Sequence, residues 1–248
     1  MNEPTPDISI IIPVYNEEKR LGRTLTRIRD YFYGQNKFPG EIEIIVVDDG
    51  STDATVNVVE QCARTIPQLR LVRNDRNHGK GYSVRHGMLE ARGEIALFTD
   101  ADLSSPIEES RQLFAALVEG TDVAIGSRAM DRSLISVRQS RLREIAGMIF
   151  NGFVRLFTGL KLQDTQCGFK AFNRARTRVI FEQQRIERFG FDPEILFLSK
   201  RQGLRIAEVP VRWAHDPATK VHVFRDSLLM FTDLIVIRWN ALIGRYPK

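Results

Sequence analysis

Cysteine is scarce in this chain: two residues, Cys62 and Cys167, in 248. Two thiols cannot build a disulfide framework, they show no metal-ligand spacing, and such sparse use fits a reducing compartment. Long apolar runs are absent too, since no stretch reaches the roughly 18 residues that a membrane-spanning helix requires. The segment Met1 to Asp7 is polar and acidic, so it does not read as a secretory signal. No Ser/Gly-rich linker, low-complexity segment or internal repeat divides the chain. No Gly-x-Gly-x-x-Gly follows a strand, which argues against a dinucleotide oxidoreductase. No Walker spacing with its Lys-Ser/Thr pair is present, which argues against a P-loop. The net charge is +5, yet no helix-turn-helix, RNA-recognition or zinc-finger pattern accompanies it, so nucleic acid is not expected as a partner. An anionic membrane or a phosphorylated substrate is the better match for that excess.

What is present is ordinary globular material, 43% hydrophobic and 27% charged, long enough for one large α/β domain or two small ones, with a sizeable core. Three β-branched runs stand out. Ile8–Ile12 leads into Pro13-Val14-Tyr15-Asn16-Glu17-Glu18, Ile42–Val47 into Asp48-Asp49-Gly50-Ser51-Thr52-Asp53, and Ile95–Thr99 into Asp100-Ala101-Asp102. Helix-like stretches, roughly 18–33 and 53–66, lie between them. That alternation predicts βαβ units and a mostly parallel central sheet flanked by helices. All three polar ends then share one sheet edge, where ligands bind in open α/β folds. An isolated Asp-x-Asp is often only a turn or cap. Here it is one of three converging acidic ends, and two carboxylates offset by two residues suit Mg²⁺ or Mn²⁺.

The motifs Ser9–Glu17, Val47–Asp53 and Asp100–Asp102, in this order and spacing, resemble the family-2 glycosyltransferases. Gly126-Ser127-Arg128, Asp164–Lys170 and Phe189-Gly190-Phe191-Asp192 are similar to the branch that glycosylates polyprenyl phosphates. The likeness runs over about residues 8–235. It implies a single Rossmann-like nucleotide-diphospho-sugar transferase fold over 1–248. A donor and metal half would occupy about 8–125, an acceptor half about 126–225 and an apolar C-terminal helix 226–248. It implies inverting, metal-assisted transfer of a hexose, with glucose from UDP-glucose as the leading donor and GDP-mannose as the rival. A saccharide hydroxyl is the alternative acceptor, and a non-catalytic nucleotide-sugar-binding protein the last.

The resemblance also assigns residues. Pro13, Tyr15 and Glu17 would line the nucleotide pocket, although Pro13 also simply ends a strand and Asn16 is a candidate helix cap. One of Asp48 and Asp49 would contact the base or ribose while the other builds the turn. Arg76–Gly81 is a glycine- and base-rich turn before a helix running to about Arg92, with Lys80 approaching the donor phosphates. Asp100 and Ala101 would touch the donor, and Asp100 and Asp102 would hold the cation. Ser104 stands where relatives often supply a further ligand. Ser105 and Pro106 read as the start of the next helix. Arg128, at the end of a fourth strand, would face the reaction centre and bind phosphate through its planar fork. Arg138, Arg141 and Lys220 would join it around the acceptor phosphate, though single arginines on helices are usually just solvated. Asp164 would hydrogen-bond in the active site, and Cys167 reads as buried and structural. Asp192 occupies the family's general-base position. A hydroxyl acceptor needs such a base and an ionised phosphate does not, so Asp192 is either the base or a sugar-positioning carboxylate.

Residues 142–160 form the clearest amphipathic helix, with Leu142, Ile145, Ala146, Ile149, Phe150, Phe153, Leu156, Phe157 and Leu160 on one face. Arg141, Glu144, Asn151, Arg155 and Thr158 are expected opposite. The apolar face either packs on the sheet or lies on a membrane surface. Val209–Trp213 reads as a late strand, and Ser227 to Leu242 as an almost wholly apolar helix needing cover from protein or lipid. The expectation is a cytoplasmic chain, peripheral at the membrane face, with homo-oligomerisation left open.

Overall fold

In the computed structural model the described residues are 6–34, 40–216 and 223–247. The three runs read from sequence are strands β1 (Ile8–Val14), β2 (Ile42–Asp48) and, counting β3 (Leu69–Arg73) between them, β4 (Ile95–Thr99). They are followed by β5 (Val123–Ser127), β6 (Ile135–Val137), β7 (Phe169–Asn173), β8 (Ile206–Pro210) and β9 (Trp213–Ala214). The main sheet has seven strands in the order β3-β2-β1-β4-β7-β5-β8, and β6 pairs with β9 in a separate parallel ribbon. β1 runs parallel to β2 and β4, β2 to β3, and β5 to β8; β7 alone opposes its neighbours β4 and β5. β7 reverses because β5 ends at one sheet edge and the chain comes back to that same edge before re-entering.

Alternation along the strands sends side chains to two cores. Ile8, Ile10, Ile12 and Val14 of β1 face one core, and Ile11 faces the other. The first core is closed by α1 (Leu21–Tyr33), α2 (Thr55–Ala63) and α4 (Ser110–Val118), through residues such as Leu25, Ile28, Val59 and Leu113. The second is closed by α3 (Lys80–Glu90), α5 (Arg141–Thr158), α6 (Arg174–Gln183), α7 (Phe191–Arg201) and α8 (Val223–Leu242). The result is a three-layer α/β/α fold around a mostly parallel sheet, as the strand–helix alternation predicts.

Several local expectations change. Arg128 follows the fifth strand rather than a fourth, because the short half-buried run Leu69–Arg73 also forms a strand. Asn16 does not cap α1: it adopts φ 53° and its side chain accepts from the Thr52 N–H instead. Ser105 and Pro106 precede a 3₁₀ turn at Ile107–Glu109, and α4 starts only at Ser110. The late strand splits into β8 and β9, since Val211 and Arg212 break the pairing.

α5 differs most. Its buried stripe is Phe150, Val154 and Thr158, at spacings of four. Thr158 thus lies on the inner face, not the outer one. Leu142, Ile145, Met148, Ile149, Phe153 and Leu156 remain exposed, Leu142 at 77% and Leu156 at 76%. α5 packs along α8, where Phe153 and Phe157 meet Phe231 edge-on at 5.1 and 5.7 Å. α8 exposes Leu228, Ile235, Val236, Trp239 and Leu242 beside it. No helix among the described residues is long and apolar enough to cross a membrane.

Candidate active site

Parallel register brings the C-terminal ends of β1, β2, β4, β5 and β8 to one edge, and the reversal of β7 brings its N-terminal end there as well. At the end of β4 the chain turns through Leu103 at φ 48°, a left-handed conformation that a branched side chain adopts at a cost of about 1–3 kcal/mol. The turn lets the Ser104 N–H donate to Asp102 at 2.9 Å and the Ala101 carbonyl accept from Thr24 at 2.5 Å. Burial, and then the charge of Asp100, push the Asp102 carboxyl above the usual range. The Asp100 carboxylate is about a third exposed and meets the Lys80 ammonium at 2.6 Å. Burial pulls the Lys80 ammonium down, but Asp100 and Asp192 outweigh it and hold the group protonated. Gly168 packs against the Asp100 carboxylate, and a Cβ there would collide with it. A larger residue there would push the Asp100 carboxylate out of its present place.

Lys80 is placed by Asp49. That carboxylate accepts from Asn74 Nδ2 at 2.7 Å, from the His78 N–H at 3.1 Å and from the Gly79 N–H at 2.8 Å. The loop must turn at Gly79, whose φ of 113° excludes other residues. The Asp48 carboxylate, also buried, accepts from the Ser51 N–H alone among the described residues, at 3.2 and 3.4 Å. Asp49 is thus the loop-builder, and Asp48 keeps acceptor capacity to spare. The loop after β1 is clasped to the same turn: the Asn16 N–H donates to Ser51 Oγ at 2.8 Å and the Glu17 N–H to Thr55 Oγ1 at 2.7 Å. Glu17 also pairs with Arg20 at 2.7 Å. Tyr15 stands 37% exposed at this edge beside the half-buried Pro13.

Across the sheet, Arg128 and Asp164 form a two-pronged pair at 2.6 and 2.8 Å, with the Arg128 N–H adding a third bond at 3.0 Å. Burial pushes the Asp164 carboxyl up, but the Arg128 charge and hydrogen bonds overcome it and hold the group at about 2. Arg128 is raised above its ordinary value, again because Asp164 outweighs burial. Its guanidinium sits 5.4 Å from the centroid of Trp213. The fork assigned to phosphate is therefore largely spent on Asp164, and Nη1 makes no hydrogen bond among the described residues. Glu208 of β8 anchors the loop, accepting from the Asp164 N–H at 2.7 Å and Ser127 Oγ at 2.7 Å. Asp192, in the first turn of α7, is buried against the fully buried Lys170 of β7. Cys167 is buried and its thiol is pushed up to about 11, first by burial, as expected of a structural cysteine. Arg138 and Arg141 are exposed at the entrance to α5 and make no ion pair among the described residues. Lys220 lies outside the described residues.

Lys170 closes the Asp164–Lys170 motif but carries no role in the sequence reading, and Glu208 is absent from it. Each is one charged residue inside a short strand, and that interruption was the available signal. No group of three or more His, Cys, Asp or Glu suited to a metal exists among the described residues.

Residues 9–181 match Glycosyl transferase family 2. The chain belongs to that family. It is 36% identical over 256 residues to the dolichyl-phosphate beta-glucosyltransferase of Saccharomyces cerevisiae, covering 96% of this chain and 76% of the relative. The corresponding protein of Drosophila melanogaster is 36% identical over 258 residues, covering 99% and 78%. The fold of this family 2 transferase is shared with glucosyl-3-phosphoglycerate synthase of Mycobacterium tuberculosis, solved with Mn²⁺, UDP and glucosyl-3-phosphoglycerate. That match has TM-score 0.64 and 21% identity, over 97% of this chain and 80% of that one. A mannosyltransferase of Pyrobaculum calidifontis, solved with GDP-Man and Mn²⁺, matches at TM-score 0.61 and 22% identity, over 97% and 65%.

Proposed function

We propose that this family 2 transferase moves glucose from UDP-glucose, with inversion, onto the phosphate of a dolichyl or other polyprenyl phosphate at a membrane surface. The observation that carries this reading is the convergence on one sheet edge of Asp100, Asp102 and Lys80 with the Arg128–Asp164 pair. The names of the relatives supply the substrate classes.

Asp48 is the carboxylate with room to accept from the base or ribose, while Asp49 holds the loop that presents Lys80. Lys80 brings positive charge to the donor diphosphate. Asp100 and Asp102 would hold the divalent cation. A two-carboxylate corner, one of them partly open, fits Mg²⁺ or Mn²⁺, which take their other ligands from water and substrate phosphates. When bound, such an ion neutralises charge on the departing nucleoside diphosphate. The acceptor phosphate oxygen attacks the anomeric carbon, and the bond to the diphosphate breaks on the opposite side. No proton is transferred, because a phosphate monoester is ionised near neutral pH, its second pKa being about 6. The exposed apolar faces of α5 and α8, with the basic residues Arg138, Arg141, Lys161 and Arg238 around them, suit an anionic lipid surface.

Nucleotide release by the purified protein tests this. UDP-glucose, UDP-GlcNAc and GDP-mannose are offered with Mg²⁺ or Mn²⁺, each with and without a short polyprenyl phosphate. Release is expected from UDP-glucose only when the lipid phosphate is present. Lipid-dependent release from GDP-mannose alone would replace the donor assignment. Release indifferent to the lipid would overturn the acceptor.

A further inference from the structure

Lys170 is the second residue of β7, paired in the sheet with Phe98 of β4, and none of its surface reaches solvent. A lysine there is tolerated only if its ammonium is fully engaged. Nζ donates to the Cys167 carbonyl at 2.6 Å and to Asp192 Oδ1, and lies 5.3 Å from the Phe98 ring centroid. Asp192 is itself 4% exposed and sits in the first turn of α7. Burial pushes the Asp192 carboxyl up, and Asp100 after β4 adds to that, while Lys170 on β7 and Lys80 on α3 act against it; Arg128 after β5 senses the carboxylate in turn.

We propose that Lys170 is a positioning and specificity-determining residue. By locking Asp192 into a buried ion pair, it withdraws that carboxylate from proton abstraction and holds it as a fixed acceptor toward the sugar. The site is thereby restricted to acceptors that arrive already ionised, the phosphate monoesters, and closed to alcohols. This deepens the reading given under the proposed function and rests on it.

The chemistry differs between acceptors by one proton. An anionic phosphate oxygen forms the new bond to the anomeric carbon, and the electron pair of the broken bond departs with the nucleoside diphosphate. An alcohol must also lose a proton to a base within hydrogen-bond reach. If Asp192 took that proton, Lys170 would be left as a buried cation without a counter-charge, which is strongly unfavourable. The ion pair therefore opposes the base role through geometry and charge together.

Wild type, Lys170→Arg, Lys170→Met, Asp192→Asn and the Lys170→Met/Asp192→Asn double variant test this. Acceptors are a short polyprenyl phosphate, glycerol 3-phosphate, polyprenol and glycerol; thermal melting checks folding, and calorimetry checks UDP binding. Wild type should glycosylate at least one phosphate and neither alcohol. Lys170→Met should lose on the order of 10²-fold in kcat, as misplacement near the reacting atoms does, while UDP affinity stays within about 3-fold. Lys170→Arg should recover most of the loss. The double variant, which removes both charges and is the more secure to fold, should be no slower than Asp192→Asn, as two residues acting as one unit require.

Wild-type kcat in Lys170→Met would overturn the proposal. So would alcohol glycosylation by wild type that disappears in Asp192→Asn. Transfer to glycerol 3-phosphate but not to polyprenyl phosphate would leave this inference standing and remove the lipid acceptor.

Discussion

Asp164 accepts from Nε, Nη2 and the backbone N–H of Arg128, and that concentration of contacts gives the pair a role in stability as well as in the site. Asp164→Asn should destabilise the fold by about 3 kcal/mol, the lower end for a broken buried pair because Arg128 keeps a 24% exposed side chain. The folded carboxyl lies at about 2, below its unfolded value. Its stabilisation is therefore complete above about pH 4 and fades as pH falls through 2. Melting temperatures of wild type should drop over that window, and those of Asp164→Asn should drop less. At this scale the sequence disclosed residue identities better than partners. Asp164, Arg128, Asp100 and Lys80 were all singled out, but not that they would pair two by two. Nor did the sequence show that Asp48 would accept within its own turn, from the Ser51 N–H, while Asp49 gathers three donors from the 74–79 loop.

Among the elements, α5 teaches most. Its 3.6-residue periodicity was plain in the sequence, yet periodicity cannot say which surface covers an apolar face. The core needs only the narrow line of Phe150, Val154 and Thr158, and α8 takes Phe153 and Phe157. The remaining residues are left for another surface. Leu142→Glu combined with Leu156→Glu should reduce co-sedimentation with vesicles containing anionic lipid by at least about 10-fold, since two buried leucines contribute roughly 3 kcal/mol or more. Melting temperature should change little, because both side chains are already solvated. Unchanged vesicle binding would remove the lipid surface from the proposal. β7 was unreadable for the opposite reason: Lys170 interrupts its apolar run, so no strand pattern survived.

Across the molecule, the βαβ alternation made the parallel sheet and the edge that gathers its acidic strand ends legible, while the reversed β7 and the anchoring of the C-terminal segment were not. Tyr246 donates to the fully buried Glu194 of α7 at 2.6 Å, and Glu194 also accepts from the Arg185 and Ile186 N–H groups at 3.0 and 2.8 Å. That ties Tyr246 to Glu194, 52 positions earlier, and through it to the segment behind Lys80, because the Glu187 carbonyl accepts from the Tyr82 N–H at 2.9 Å. Burial raises the Glu194 carboxyl to about 7. The folded state then holds a proton that the unfolded chain releases near pH 4.5, so stability should fall as pH rises from about 4.5 through 7, by up to about 3 kcal/mol. Glu194→Gln should flatten that decline in melts at pH 5 and 8.

The chain has two tryptophans, and the fold sends one to the candidate site and one to the exposed apolar face proposed to meet lipid. Trp213 lies against Arg128, and Trp239 stands 60% exposed on the apolar side of α8. Single Trp→Phe variants would make the protein its own two-channel fluorescence reporter. The emission of Trp213 would follow occupancy of the sugar-transfer edge, and a blue shift from Trp239 would follow contact with lipid. The two events could then be timed separately in one reaction without an added label.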